Sequence, residues 1–205
     1  MSTIATSPAP LAAITPPPGG GPRPWKWTRE QYYKLGELGF FQGKKVELLF
    51  GEIVEMSPIG WLHRVACRKT AEALERAFAG IGWVDRSEPL DLGNSDPQPD
   101  VAVITGRFED YSTHPTTALL VVEVADTTLA QDTTTKAELY ATARIAEYWV
   151  LDVTNRVLLV YRDPVSLPAG LGATAYRTQL TLSPTDRVSP LAAPTASILV
   201  SELLP

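Results

Sequence analysis

The stretch Leu119–Tyr140, "LLVVEVADTTLAQDTTTKAELY", decides how this chain is read. Four aliphatic residues run into Glu123, Val124 follows, and the sequence then turns polar. A β-branched run of this kind reads as a strand buried on both faces. An ionised carboxylate inside it is costly unless it is paired with a cation or bound to a metal. Downstream, Asp132, Lys136 and Tyr140 recur at helical spacing, so one helix face would carry all three. Taken alone, Asp132 and Lys136 are an exposed ion pair worth about 0.3–0.5 kcal/mol. Placed directly after Glu123, they can instead point back at it. Tyr140 reads by default as core, with its hydroxyl at the edge.

Upstream, "QPDVAVI" (98–104) sets Asp100 at the mouth of a second apolar strand, behind a proline that disfavours helix. A lone Pro-Asp reads as a turn. Two carboxylates at the ends of two apolar strands suit a shared Mg²⁺ or Mn²⁺, which takes oxygen ligands from one or two carboxylates, water and phosphate. A lysine beside such an ion orients or deprotonates a water and stabilises charge growing on phosphate. Lys136 is the candidate.

Further out, Thr28 and Gln31 form a capping-box pattern that starts a helix stopping near Gly36 or Gly39. "KKVELLFGEIVEMSP" predicts two short strands around Phe50-Gly51. Glu52 and Glu55 suit a polar hairpin face; Glu47 interrupts "VELL", so it either shares that face or looks into an acidic cleft. The spacing of Leu62, Val65, Ala66, Ala73, Leu74 and Ala77 predicts a helix over 61–78. Strands are expected at 83–87, 99–104 and 118–124, then a helix from Leu129 or Asp132 to Thr142. "EYWVLDVTNRVLLVYRD" predicts a hairpin turning over Asp152 to Asn155. After Arg162 a looser chain is expected, with a strand at 176–182 and a short element at 198–203. This order points to a single α+β or mixed α/β domain over 25–205. Residues 1–24, rich in Pro, Ala and Gly and nearly uncharged, read as a flexible tail.

With 205 residues, 44% of them hydrophobic, the chain has material for one sizeable core. A net charge of −5 gives no global attraction to phosphate, so a nucleic-acid partner would need a local basic patch. Arg64, Arg68 and Lys69 on the second helix and the Lys44-Lys45 pair are the candidates. His63 opens that helix and reads most simply as a surface or capping residue. Cys67 is the only cysteine, which excludes an intrachain disulfide and fits a reducing compartment. No membrane-spanning stretch or signal peptide is evident, and the expected location is the cytoplasm. Walker and dinucleotide glycine loops and a Gly-x-Ser-x-Gly elbow are absent. Two histidines and one cysteine supply a zinc hydrolase site poorly.

Taken in order, "VELLFGEIVEMSP", His63, "QPDVAVI", "LLVVEVADTT" and "DTTTKAELYATARIAEYWVLD" resemble the Uma2 family. These are bacterial proteins assigned as restriction-type endonucleases and similar to the PD-(D/E)XK nuclease superfamily. The resemblance covers about residues 27–205. It implies a restriction-endonuclease-like core, a mixed central sheet flanked by helices, with Asp100 and Glu123 as ligands of Mg²⁺ or Mn²⁺. The simplest superfamily pattern has a lysine two residues after the acidic ligand. Here that position is Ala125, and the resemblance implies that Lys136 replaces it. Glu47, His63, Asp132 and Tyr140 match the family's spacing as supporting residues. Asp126 departs from it, standing where serine is usual, and either joins the metal shell or caps the helix.

Two functions compete. The first is metal-dependent hydrolysis of DNA phosphodiester bonds, by a homodimer with Trp25 to Tyr33 as a possible interface. The second is a catalytically inactive nuclease-fold module that binds nucleic acid or protein, favoured by the acidic charge and sparse basic patches.

Overall fold

In the computed structural model, which describes residues 23–167 and 174–205, the N-terminal helix α1 (Arg29–Glu37) begins as its sequence predicts. Thr28 and Gln31 form the full capping box, each side chain bonding the other's backbone N–H. The hairpin β1 (Val46–Leu49) and β2 (Glu52–Glu55) turns at Phe50-Gly51, both with positive φ. That is the backbone a tight two-residue hairpin turn requires. Gly51 is fixed twice over, since a Cβ there would meet Lys26 Cβ at 3.0 Å and the Trp27 carbonyl oxygen at 3.2 Å. The flexible tail expected over residues 1–24 lies almost wholly outside the described residues.

The next elements are α2 (Trp61–Ala77), β3 (Gly82–Asp85), β4 (Val101–Thr105) and β5 (Leu120–Ala125). Then come a helical arm, β6 (Glu147–Asp152), β7 (Val157–Ser166) and β8 (Thr174–Leu182). These six strands form one mixed sheet in the order β3-β4-β5-β6-β7-β8. Every pair is antiparallel except β5–β6. A parallel pair needs a crossover, and the arm supplies it. The arm consists of α3 (Leu129–Gln131), a π turn (Asp132–Lys136) and α4 (Ala137–Thr142). Short strands β9 (Arg187–Val188) and β10 (Ile198–Leu199) and helix α5 (Val200–Leu203) complete the described chain. The fold is α/β, with a mixed central sheet flanked by helices, as expected.

The two faces of the sheet carry separate cores. Leu120, Val122 and Val124 of β5 pack with Leu74 and Phe78 from the α2 side and with Val200 and Leu203 of α5. Val121 and Ala125 face the other way, onto Leu139, Tyr140 and Ala141 of α4. β5 is buried throughout, as its aliphatic composition predicts. By strand alternation Glu123 belongs to the α4 face.

Two expectations need correction. The arm is not a regular helix, because the hydroxyls of Thr133 and Thr134 donate to the carbonyls of Leu129 and Ala130, at 2.7 and 2.6 Å. Such back-bonding competes with the helical ladder, and here the ladder widens to a π turn. Nor does the chain loosen immediately after Arg162, since β7 continues to Ser166, while the expected strand at 176–182 is present as part of β8. β6 pairs with β7 only as far as Arg162, so Pro164 lies where β7 has β8 alone as neighbour. A proline is tolerated on such an open side. Among the described residues, no helix is long and apolar enough to cross a membrane.

Candidate functional site

Asp100 immediately precedes β4. The register Val101↔Val122 sets it level with Glu123 along the two strands. Asp100 Oδ2 accepts the Val124 backbone N–H at 2.8 Å, which fastens the carboxylate to the end of β5. Its Oδ1 lies 2.9 Å from His63 Nε2 on α2. Burial pushes Asp100 upward, but the His63 contact, the Val124 N–H and the Lys136 charge outweigh it and hold the carboxyl below its ordinary value. Burial lowers His63, while Asp100, Asp126 and Asp132 raise it, for a net upward shift.

Glu123 is held from the helical arm. Its Oε1 accepts from Lys136 Nζ at 2.9 Å and from the Tyr140 hydroxyl at 2.7 Å. Both bonds end on Oε1; Oε2 has none among the described residues. Burial, followed by the nearby Glu123 charge, raises Tyr140 well above its ordinary value, so it stays a donor. Lys136 also meets Glu47, at 3.4 Å to Oε1 and 3.2 Å to Oε2. Only the Oε1 contact has hydrogen-bond geometry, and Oε2 is buried without a hydrogen bond among the described residues. Glu47 Oε1 also accepts the Gln98 N–H at 3.1 Å. The Asp132–Lys136 ion pair of the simplest helix reading does not form. Lys136 turns to the glutamates, and Asp132 accepts from the Thr128 hydroxyl at 2.6 Å. The Asp132 carbonyl is anchored by the Tyr148 hydroxyl at 2.9 Å.

One ammonium therefore serves Glu47 and Glu123 directly, with Asp100 and Asp132 close by. Burial pulls Lys136 down, but Glu123, Glu47 and Asp132 overcome that and hold it firmly charged. The surplus of negative charge falls on the acids. Burial raises Glu123 well above its usual range; Lys136 pulls it back, and Asp100, Asp132 and Glu47 add to the rise. Asp132 is raised by burial, with Lys136 and Thr128 opposing.

Asp100, Glu123, Asp132 and Lys136 line a polar cavity of about 150 Å³, together with Lys45, His63, Asp126, Thr128 and the 56–60 loop. A larger cavity, about 920 Å³, lies beside β3 among Trp83, Phe108, Tyr111, His114 and Arg29. It includes neither Asp100, Glu123 nor Lys136, so the chemistry points to the smaller one.

The structure thus brings together Asp100, Glu123, Lys136, Glu47, His63, Asp132 and Tyr140. Of the two placements open to Glu47, it takes the inward one, fully buried, while Glu52 and Glu55 face outward and pair with Lys26 and Lys44. Asp126 lines the cavity with an exposed side chain, and the residue at the cap of α3 is Thr128 instead. The basic candidates scatter. Lys44 is paired with Glu55, Arg68 with Glu72, and Lys69 donates to the Leu204 carbonyl. Lys45 lines the cavity, and Arg64 is exposed with no ion pair among the described residues. Cys67 was missed as a neighbour of the site: its Sγ, His63 and Asp100 present ligand atoms all within 4.8 Å of one another. The available signal was its position four residues after His63, one turn along the same helix face.

Comparison with known proteins follows the same lines. The sequence model of the Uma2 family, described as "Putative restriction endonuclease", matches residues 29–201. No curated protein matches the chain. Among solved structures, one similar chain is described as a "putative nuclease belonging to DUF820" from Anabaena variabilis. It superposes with a TM-score of 0.67 at 16% identity, over 86% of this chain and 96% of that one, which shows a shared fold.

Proposed function

The chain belongs to the Uma2 family, and from that premise we propose that it is a metal-dependent endonuclease hydrolysing phosphodiester bonds in DNA. The observation that carries the reading is the convergence of Asp100, Glu123 and Lys136 on one small cavity with more carboxylates than cations. The donor set fits a hard divalent cation. All four acids offer oxygen, the site is short of positive charge, and Glu123 Oε2 has no hydrogen bond competing for it among the described residues. Asp100 and Glu123 would hold the ion, Mg²⁺ or Mn²⁺. When bound, it supplies Lewis-acid polarisation and makes water a better nucleophile.

The chain's own residues do the rest. Lys136 stays protonated between Glu123 and Glu47, so its role is electrostatic: it stabilises negative charge growing on the phosphoryl oxygens. Deprotonating water is the less suitable role for an amine held so firmly charged. The Tyr140 hydroxyl keeps Glu123 in one orientation, and His63 does the same for Asp100. Lys45 lines the cavity, and Arg64 is exposed with no ion pair among the described residues; both are candidates to meet the DNA backbone. A homodimer would place two such cavities on two strands, with exposed Trp25 and Tyr33 as interface candidates; sedimentation tests that directly.

The test of activity is incubation with supercoiled, linear and single-stranded DNA in Mg²⁺, Mn²⁺ or chelator. Metal-dependent nicking by the parent, lost in Asp100→Ala and Glu123→Ala, is the expected result. No nicking, or equal cutting by the variants, overturns the proposal. The scatter of the basic side chains favours one second reading, an inactive module binding nucleic acid or protein. Its signature is salt-sensitive binding unchanged by Glu123→Ala and Lys136→Met.

A further inference from the structure

We propose that His63, Cys67 and Asp100 form a second metal site, selective for a soft or borderline cation such as Zn²⁺, whose occupation shuts the hard-cation site. His63 and Cys67 stand one turn apart on the same face of α2, and Asp100 meets them at the start of β4. The imidazole nitrogen, the thiol sulfur and a carboxylate oxygen all lie within 4.8 Å of one another. Three donors around one tetrahedral zinc lie roughly 3–4 Å apart, so closing the site takes a movement of no more than about 1–2 Å. Nitrogen and sulfur donors select zinc-like ions, whereas Mg²⁺ avoids sulfur. The open fourth position would be filled by water. On binding, a sulfur–metal bond forms and the Cys67 thiol releases its proton to solvent.

Asp100 belongs to both sites, while Glu123 is held by Lys136 and Tyr140 and stays out of the second one. Zinc taking Asp100 would therefore exclude the catalytic ion. This inhibitory consequence rests on the nuclease reading; the binding itself does not. No mechanistic role above falls to Cys67, so the thiol separates the two sites.

The experiment titrates the full-length, metal-free protein with Co²⁺ and then Zn²⁺, reading the thiolate-to-cobalt charge-transfer band in the near ultraviolet. Cys67 is the only cysteine, so any such band comes from it. We expect the band in the parent, its loss in Cys67→Ser, its weakening in His63→Ala, and its displacement by Zn²⁺. Circular dichroism confirms that each variant is folded. Absence of the band from the parent overturns the site, whether or not the protein cuts DNA. Where nicking is observed, Cys67→Ser should keep its Mg²⁺-dependent rate and need at least about tenfold more Zn²⁺ for inhibition, since loss of even an outer-shell partner of a ligand costs about that much. Equal inhibition of parent and Cys67→Ser overturns the regulatory claim. A band in a protein that never nicks supports the site and counts against the nuclease reading alone.

Discussion

Glu123 and Glu147 stand on the two parallel strands at the centre of the sheet, and both are almost fully buried. Their surroundings differ completely. Glu147 Oε1 accepts from Arg162 Nε at 2.9 Å, Arg162 Nη2 at 2.6 Å and Trp149 Nε1 at 3.0 Å. Its Oε2 accepts the Leu191 N–H at 2.7 Å. One guanidinium answers one carboxylate, and both oxygens are bonded. Around Glu123 one ammonium answers several carboxylates, and Glu47 Oε2 is buried without a hydrogen bond. A buried acid is thus a poor sign of function by itself. A buried acid left short of positive charge is a better one, because folding alone gives no reason to assemble that deficit.

The strongest way to break this contrast is to remove each acid in turn. Glu147→Ala leaves Arg162 partly buried without its partner and should lower stability by roughly 3–5 kcal/mol, toward the smaller figure because Arg162 keeps some solvent. Nicking per folded molecule should persist. Glu123→Gln should do the reverse: nicking falls by about 10²–10³-fold or more, while stability holds or rises because surplus charge has gone. Chemical denaturation paired with plasmid nicking reads both. If Glu123→Gln proves the more destabilising change, the two sites are alike and the functional contrast collapses.

The sharper, smaller effect is the response to pH and cation together. Glu123 and Asp132 have folded-state values raised above their ordinary 4.5 and 3.8. The folded protein therefore holds protons that the unfolded chain has released. Stability from this source is full below those ordinary values and is lost as pH rises through the folded-state values. A divalent cation offsets the crowding only where the acids are ionised. At about 100 times its dissociation constant it should add about 2.7 kcal/mol, or about 5–10 °C in melting temperature for a chain of this size. The gain should be largest near pH 8 and fade toward pH 5, and Glu123→Gln should remove most of it. A melting-temperature gain that is flat across this range would contradict the charge-deficit account.

How much of this was legible follows from which forces are local. The aliphatic run of β5 with Glu123 inside it, the Phe50-Gly51 turn and the Thr28–Gln31 cap are short-range patterns, and each forms the element its sequence suggests. Spacing alone brought Asp132, Lys136 and Tyr140 to one face. It could not say that Lys136 would pass over Asp132 to reach Glu47, a residue 89 positions away. That choice is tertiary, decided by what the hairpin and β5 place beneath the arm. The π turn depends on hydroxyls that can bond either solvent or backbone. Glu47 was ambiguous because a four-residue strand gives too little alternation to choose a face. Cys67, a lone cysteine in the sequence, signalled only the absence of an intrachain disulfide. Only the closeness of α2 to the mouth of β4 makes it a neighbour of Asp100.

The smallest effect concerns the His63–Asp100 contact, where the two shifts run in opposite directions. Asp100 is lowered, so its contribution is present above its ordinary 3.8 and is lost as pH falls through the folded-state value. His63 is raised, so its contribution is full below its ordinary 6.5 and is lost as pH rises through the folded-state value. The charged pair therefore stabilises the metal-free fold between about pH 4 and somewhat above 6.5. His63→Gln keeps a hydrogen-bonding side chain but cannot carry the charge. In chelator, urea unfolding should show a loss of about 1 kcal/mol at pH 5.5, shrinking toward zero by pH 9. A loss of equal size at both pH values would mean that His63 acts by packing alone. In that case the charge of Asp100 would be balanced from β5 and Lys136 and not from α2.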